Sequence, residues 1–330
     1  MAKATKAAKP AKVVLSPAQK KLEREKSWNK IKKDKWMYLL LLPGVLYFLI
    51  FKFAPMWGVL ISFQNYYAGV SFFDAQWVGF DNFVSFMTNT DFPRLLRNTL
   101  VISMMNLVFY FPLPILLALL MNEVKVKWYK NTVQTMVYVP HFVSMVVIAS
   151  ITFMLLKAPS MEGYTGGAIF ELLKQMTGKE INILQTPTNF YWVILVQAIW
   201  KETGWGTIIF LAALAGVDVE QYEAAIVDGA NRFQQMIYIT LPAISSTIVI
   251  MLILRMGSVL NTGFEQILLM QNDFNMSYSE TFDTYVYTLG RVQGNYGYST
   301  AVGLFKSVVS IICIQSANFI AKKVGQSALF

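Results

Sequence analysis

A chain of 330 residues in which 55% are hydrophobic and only 14% are charged is too apolar for an ordinary soluble domain of this length, so it reads first as a membrane protein. The net charge of +9 is not a nucleic-acid footprint, because twelve basic and three acidic residues precede Trp36 and the leader therefore holds the whole excess. A single cysteine, Cys313, excludes an internal disulfide framework or a thiolate metal cluster, and its apolar neighbours assign it to packing.

In chain order, residues 1–17, rich in Ala and Lys with Pro10 and Pro17, are expected to be disordered, and 17–36 to form a basic amphipathic helix on the membrane surface. The leader lacks interleaved aromatics or a folded basic module, so its expected partner is the lipid bilayer and no nucleic acid, and its charge holds it in the cytoplasm. No small-residue cleavage site follows the apolar residues 37–53, which makes them the start of an uncleaved first span, about 37–63, with bends at Pro43 and Pro55. Five further apolar stretches lie at about 99–121, 132–156, 189–216, 241–261 and 299–321, each close to the roughly 20 residues that a bilayer requires. The expected fold class is therefore all-α integral membrane, with six transmembrane helices in a domain spanning 37–330 behind a leader at 1–36.

With the leader inside, the loops at 122–131 and 215–240 and the C-terminal tail are cytoplasmic, so both termini face the cytoplasm. Lys125, Lys127, Lys130, Lys322 and Lys323 obey the positive-inside rule. The 215–240 loop does not, since it sets Asp218, Glu220, Glu223 and Asp228 against Arg232, and its sequence must serve something other than orientation. Outer segments at 64–98, 157–188 and 262–298 carry Gly, Asn, Asp and aromatics in a mixture ordered enough to touch a partner.

The acidic inner loop reads Glu223-Ala224-Ala225-Ile226-Val227-Asp228-Gly229, then nine residues, then Ile239-Thr240-Leu241-Pro242. Good helix formers precede Gly229, which admits a backbone turn that lets a second short helix leave at an angle. Small Ala224 and Ala225 suit a groove on a soluble partner, Glu223 offers a carboxylate to a basic group there, and Pro242 opens the fifth span, where its missing N–H costs little. This pattern resembles, at every defining position, the EAA loop of permeases from binding-protein-dependent ABC importers of type I. The resemblance implies that about 217–242 is a coupling loop docking onto an ATPase subunit, through Glu223, Ala224, Ala225, Asp228, Gly229, Ile239, Leu241 and Pro242. The chain has no G-x-x-x-x-G-K-[ST], so ATP and Mg²⁺ are expected on the partner ATPases, with no cofactor, metal or catalytic residue on this chain.

Leu42-Pro43-Gly44, Trp77-Val78-Gly79-Phe80-Asp81-Asn82-Phe83, Asn98-Thr99-Leu100, Trp200-Lys201-Glu202-Thr203-Gly204-Trp205-Gly206-Thr207, Gly263-Phe264-Glu265-Gln266 and Ala301-Val302-Gly303-Leu304-Phe305-Lys306-Ser307 are similar to the branch of sugar permeases that handles oligosaccharides from polysaccharides. That likeness implies import into a bacterial cytoplasm across the inner membrane by alternating access. It also implies four kinds of partner: a second homologous permease, two ATPase subunits, an extracytoplasmic sugar-binding lipoprotein and the bilayer.

Ionisable residues inside spans cost about 2.5 to 3.5 kcal/mol on insertion scales and call for a reason. Arg255 and Lys306, each about seven residues from the outer end of its span, are candidates to face the translocation cavity and meet the carboxylates or sulfates of an acidic saccharide. The other readings stay open: Arg255 pairs with Glu202 or with a partner permease, and Lys306 snorkels outward. Trp200, Lys201 and Trp205 join the candidate substrate pathway, since aromatic faces suit sugar rings, although Trp also packs and anchors interfaces. Asn261, Glu265 and Gln266 suit hydroxyl contacts or the binding protein. His141, with no second His and no nearby carboxylate expected, is assigned to helix packing in the third span. A membrane enzyme and an ion-driven secondary transporter are the alternatives, but the sequence shows no catalytic cluster or nucleophile elbow and no repeat that would favour either.

Overall fold

The computed structural model describes residues 30, 32–159, 165–325 and 328–329, so the expected disorder and surface helix of the leader lie almost wholly outside the described residues. The chain divides into two units at Val59/Leu60. In the first unit, the helix Lys35–Phe48 runs on into a π turn at Leu49–Phe53 and a 3₁₀ stretch that starts at Ala54. This switch of hydrogen-bonding register falls just ahead of Pro55, which has no N–H to continue an α ladder. Neither Lys35–Phe48 nor Leu49–Phe53 contains a buried residue. A helix that is apolar all round needs hydrocarbon or a partner as its surroundings.

The second unit, Leu60–Phe330, is helical, and the described residues hold isolated β-bridges but no named strand. Phe92–Glu123 and Tyr296–Lys323 are continuous helices of 32 and 28 residues, apolar enough to cross a membrane. Both begin before their expected apolar cores; Asn295 fixes the start of the later one by accepting from the Tyr298 N–H, and Pro93 stands in the first turn of the earlier one. A π turn at Asn106–Tyr110 precedes Pro112 in the earlier helix, which absorbs the missing donor without breaking the rod.

The expected third span is not one helix. Lys127–Phe142 and Met145–Leu156 meet at 96°, with the break directly after Pro140-His141-Phe142. The expected fifth span is likewise bent, Arg232–Ala243 against Ser245–Gly257 at 59°, just after Pro242. It ends at Gly257 and not near 261, so Arg255 sits in the last helical turn and not seven residues below the end. The fourth span is the 25-residue helix Phe190–Leu214, and the 76° bend beyond it leads into the short helix Val219–Val227. Counting each bent pair as one crossing gives six candidate spans, the architecture of an all-α permease.

The 262–298 segment, expected to be ordered enough to touch a partner, contains helices Phe264–Met270, Met276–Ser279 and Phe282–Tyr287 that pack inward. Phe86 and Phe282, both fully buried, meet Phe305 edge-on with ring centroids 5.3 and 6.0 Å away. Beside them, buried Asn98 donates to the Glu280 carbonyl at 2.8 Å and accepts from the Tyr191 hydroxyl at 2.7 Å. Thr99 Oγ1 accepts from the Phe282 N–H at 3.3 Å. Such side chains join helices where apolar contact alone gives little preference over lipid. These contacts hold the segment that closes one side of the cavity described next.

Candidate functional site

The central feature of the second unit is a cavity of about 460 Å³. Asn106 and Tyr110 reach it from the π turn of the second span, Gln197, Lys201 and Glu202 from the fourth, and Arg255 from the fifth. Asn261, Thr262, Glu265 and Gln266 close it from the segment that follows the fifth span. The π turn matters here because it displaces side chains by a register step, so that a polar pair faces inward from an otherwise apolar helix. Arg255 also borders two adjoining depressions and thus stands where the three meet.

Of these charges, Lys201 and Glu202 are already engaged. The Lys201 ammonium donates to the carbonyls of His141 and Val143, both at 2.6 Å, at the break in the third span. Glu202 lies 2.9 Å from Nδ1 of His141, and the imidazole stacks on Trp205 at 4.3 Å with planes 3° apart. His141 therefore does have a carboxylate neighbour, which the sequence hides because 61 positions separate the two. Arg255, in contrast, makes no ion pair among the described residues; its guanidinium stands over the Tyr110 ring, 5.5 Å from the centroid. The reading in which Arg255 pairs with Glu202 is thereby corrected: Glu202 faces His141.

Three other candidates lie elsewhere. Lys306 is buried and ion-paired with Asp283, whose second oxygen accepts from the Thr262 N–H at 3.4 Å, so it stands behind the cavity wall and neither lines the cavity nor snorkels outward. Trp200 lines a separate, largely apolar depression of about 560 Å³ with Trp192, Ile148 and Val196. Trp205 spends one face on His141. Arg255, Lys201, Asn261 and Glu265 do share the cavity, and Gln266, which also lines it, gives its amide to Gln197 Oε1 at 3.0 Å and to the Ile194 carbonyl at 2.8 Å. Sequence reasoning missed Asn106, Tyr110, Gln197 and Thr262. A signal existed for Asn106, an amide in the middle of an apolar run.

The acidic loop forms an elbow. Asp218 caps Val219–Val227 by accepting from the Glu220 N–H at 3.0 Å, and Gly229 follows at φ +81°, a conformation that L side chains rarely adopt. Asn231 and Gln234 form a capping box that starts Arg232–Gln235, and the Tyr222 hydroxyl sits 2.9 Å from Thr240 Oγ1, tying the two arms. Glu223, Ala224 and Asp228 are exposed, Ala225 is half-buried, and Val227 is 87% exposed on the same short helix. Ile239 is half-buried, and Leu241 and Pro242 are exposed where the chain turns into the fifth span. A helix this short with an apolar, uncovered surface is not self-sufficient.

Bent apolar helices around a polar cavity, joined to an exposed helical elbow, have the architecture of a solute permease. The chain belongs to the family described as binding-protein-dependent transport system inner membrane component, which matches residues 110–326. It is 57% identical over 300 residues to Protein LplB of Bacillus subtilis, covering 91% of this chain and 92% of that one. It is 46% identical to the polygalacturonan/rhamnogalacturonan transport system permease protein YteP of the same organism, with 94% and 95% covered. Among solved structures it is similar to a bacterial alginate ABC transporter in complex with alginate pentasaccharide-bound periplasmic protein, at a TM-score of 0.82 and 36% identity, covering 92% of this chain and 99% of that chain. Membership of this family sets aside the membrane enzyme and the ion-driven transporter.

Proposed function

We propose that this chain is one of two homologous permease subunits that carry acidic oligosaccharides into a bacterial cytoplasm, driven by two ATPase subunits. The observation that carries the choice of an acidic cargo is Arg255, a half-buried guanidinium bordering the cavity with no ion pair among the described residues. A half-buried cation without a counter-ion gains more from an anionic ligand than a fully solvated one does. Glu265, the other uncommitted charge on the wall, is exposed, so water screens its repulsion of the same ligand. The names of YteP and of the alginate transporter, both handling uronate-containing polymers, support the same chemistry.

In this reading the elbow at 219–242 docks in a groove of an ATPase, which binds ATP and Mg²⁺ while this chain binds no cofactor. Closure of the two ATPases draws the elbows together and rocks the spans between inward-facing and outward-facing states. A binding protein delivers the sugar on the opposite face, and both termini lie in the cytoplasm with the basic leader against anionic lipid. The test is uptake by the reconstituted complex, with binding protein, of a uronate oligosaccharide. Arg255→Ala should raise the half-saturating concentration about tenfold or more, the loss expected for one charged hydrogen-bonding partner. An unchanged half-saturation and rate would remove Arg255 from the substrate path.

A further inference from the structure

The third span breaks at 96° where its two arms leave backbone groups without helical partners. The arm ending in Val139–Phe142 presents carbonyls that no following turn satisfies, and within hydrocarbon an unsatisfied carbonyl is costly. Those of His141 and Val143 instead accept from one donor, the Lys201 ammonium, at 2.6 Å each. That ammonium also stands at the negative end of the arm's helix dipole. The other arm starts under its own cap, with Ser144 Oγ accepting from the Val147 N–H at 3.4 Å. On the next residue of the fourth span, Glu202 holds the His141 ring, and Trp205 stacks against it. One turn of the fourth span thus grips the break from both sides. Gly204 permits this closeness, because a Cβ there would lie 1.8 Å from the Val137 carbonyl oxygen.

Met145, Lys201 and Glu202 all line the cavity, so the geometry of the break is also the geometry of one cavity wall. We propose that Lys201 is a positioning residue that holds the third span broken, assisted by Glu202 acting on His141, and that it does not read the charge of the cargo. Two of the three N–H donors of the Lys201 ammonium go to carbonyls of the wall, which fixes its place at the break, whereas the Arg255 guanidinium gives none to a protein acceptor among the described residues. The two cations of one cavity therefore divide the labour: Arg255 binds, and Lys201 sets the shape of the wall that must move during each cycle.

This division rests on the oligosaccharide reading above, and the experiment separates the two. In the reconstituted complex, Lys201→Met should lower the maximal uptake rate at least tenfold while leaving half-saturation within twofold of wild type, the reverse of Arg255→Ala. Lys201→Arg, which keeps donors within reach, should restore most of the rate. A rise in half-saturation with Lys201→Met as large as that for Arg255→Ala, or wild-type kinetics, overturns the proposal. A second measurement needs neither a variant nor transport. In the wild-type complex, acetic anhydride should modify Lys201 at least tenfold more slowly than exposed Lys179, equally with and without a uronate oligosaccharide. Labelling of Lys201 as fast as Lys179 in the empty complex, or protection that appears only on adding the saccharide, refutes the positioning role even if the Met variant fails to assemble. If wild type carries no oligosaccharide but Lys201 is protected, the function reading fails and the positioning role stands.

Discussion

At the scale of single residues, the same charge in a span has three different uses here. Lys306 is committed to Asp283, with side chains only 10% and 22% exposed, while Lys201 is committed to backbone and Arg255 to no anion. Removing one partner of a buried pair typically costs about 3 to 5 kcal/mol, because the other charge is left stranded, whereas removing both costs far less. Lys306→Met should therefore lower the thermal unfolding temperature of the detergent-solubilised permease by several degrees, and Lys306→Met combined with Asp283→Leu should recover most of it; equal losses in the single and double variants would show that the pair is not what stabilises this corner. The sequence marks Arg255 and Lys306 as unusual by their apolar surroundings, and Lys201 only by its place among the aromatics of the fourth span. It does not show which is free, because the partners come from other elements: Asp283 lies 23 positions from Lys306, and the Val143 carbonyl 58 from Lys201.

At the scale of elements, the elbow was legible and the break was not. Asp218, the Glu223–Gly229 run and Pro242 act locally, through a cap, a positive φ and a missing donor, so a sequence read in order shows their effect. The third span reads as one mainly apolar stretch over about 132–156, and Pro140 alone does not signal a 96° turn. What stabilises the turn is a lysine on another helix, and apolar periodicity carries no trace of it. The order of the 262–298 segment is legible in its composition but its helices are not, for a related reason: they are too short to show a period, and their burial depends on partners such as Phe86 and Asn98. For the elbow, Gly229→Ala introduces a Cβ with open space around it but at φ +81°, which costs about 1 kcal/mol or more. The expected result is a folded, monodisperse permease whose complex transports less sugar per ATP hydrolysed; an unaltered ratio would mean that the angle at Gly229 does not transmit the stroke.

At the scale of the whole molecule, the family assignment rests on residues 110–326, and the cavity and the elbow both fall almost wholly within that range, with Asn106 just outside it. The helix beginning at Lys35 lies outside the matched region and is a unit apart, which fits a segment whose surroundings are supplied by lipid or by another subunit. The cavity also has a resting state to consider. A half-buried guanidinium without a counter-ion attracts small mobile anions from solution into the cavity. Chloride then competes with every incoming uronate, so half-saturation should climb as potassium chloride replaces an osmotically matched neutral solute, and that climb should vanish in Arg255→Ala. Import by this chain would thus be tuned by the salinity around the cell.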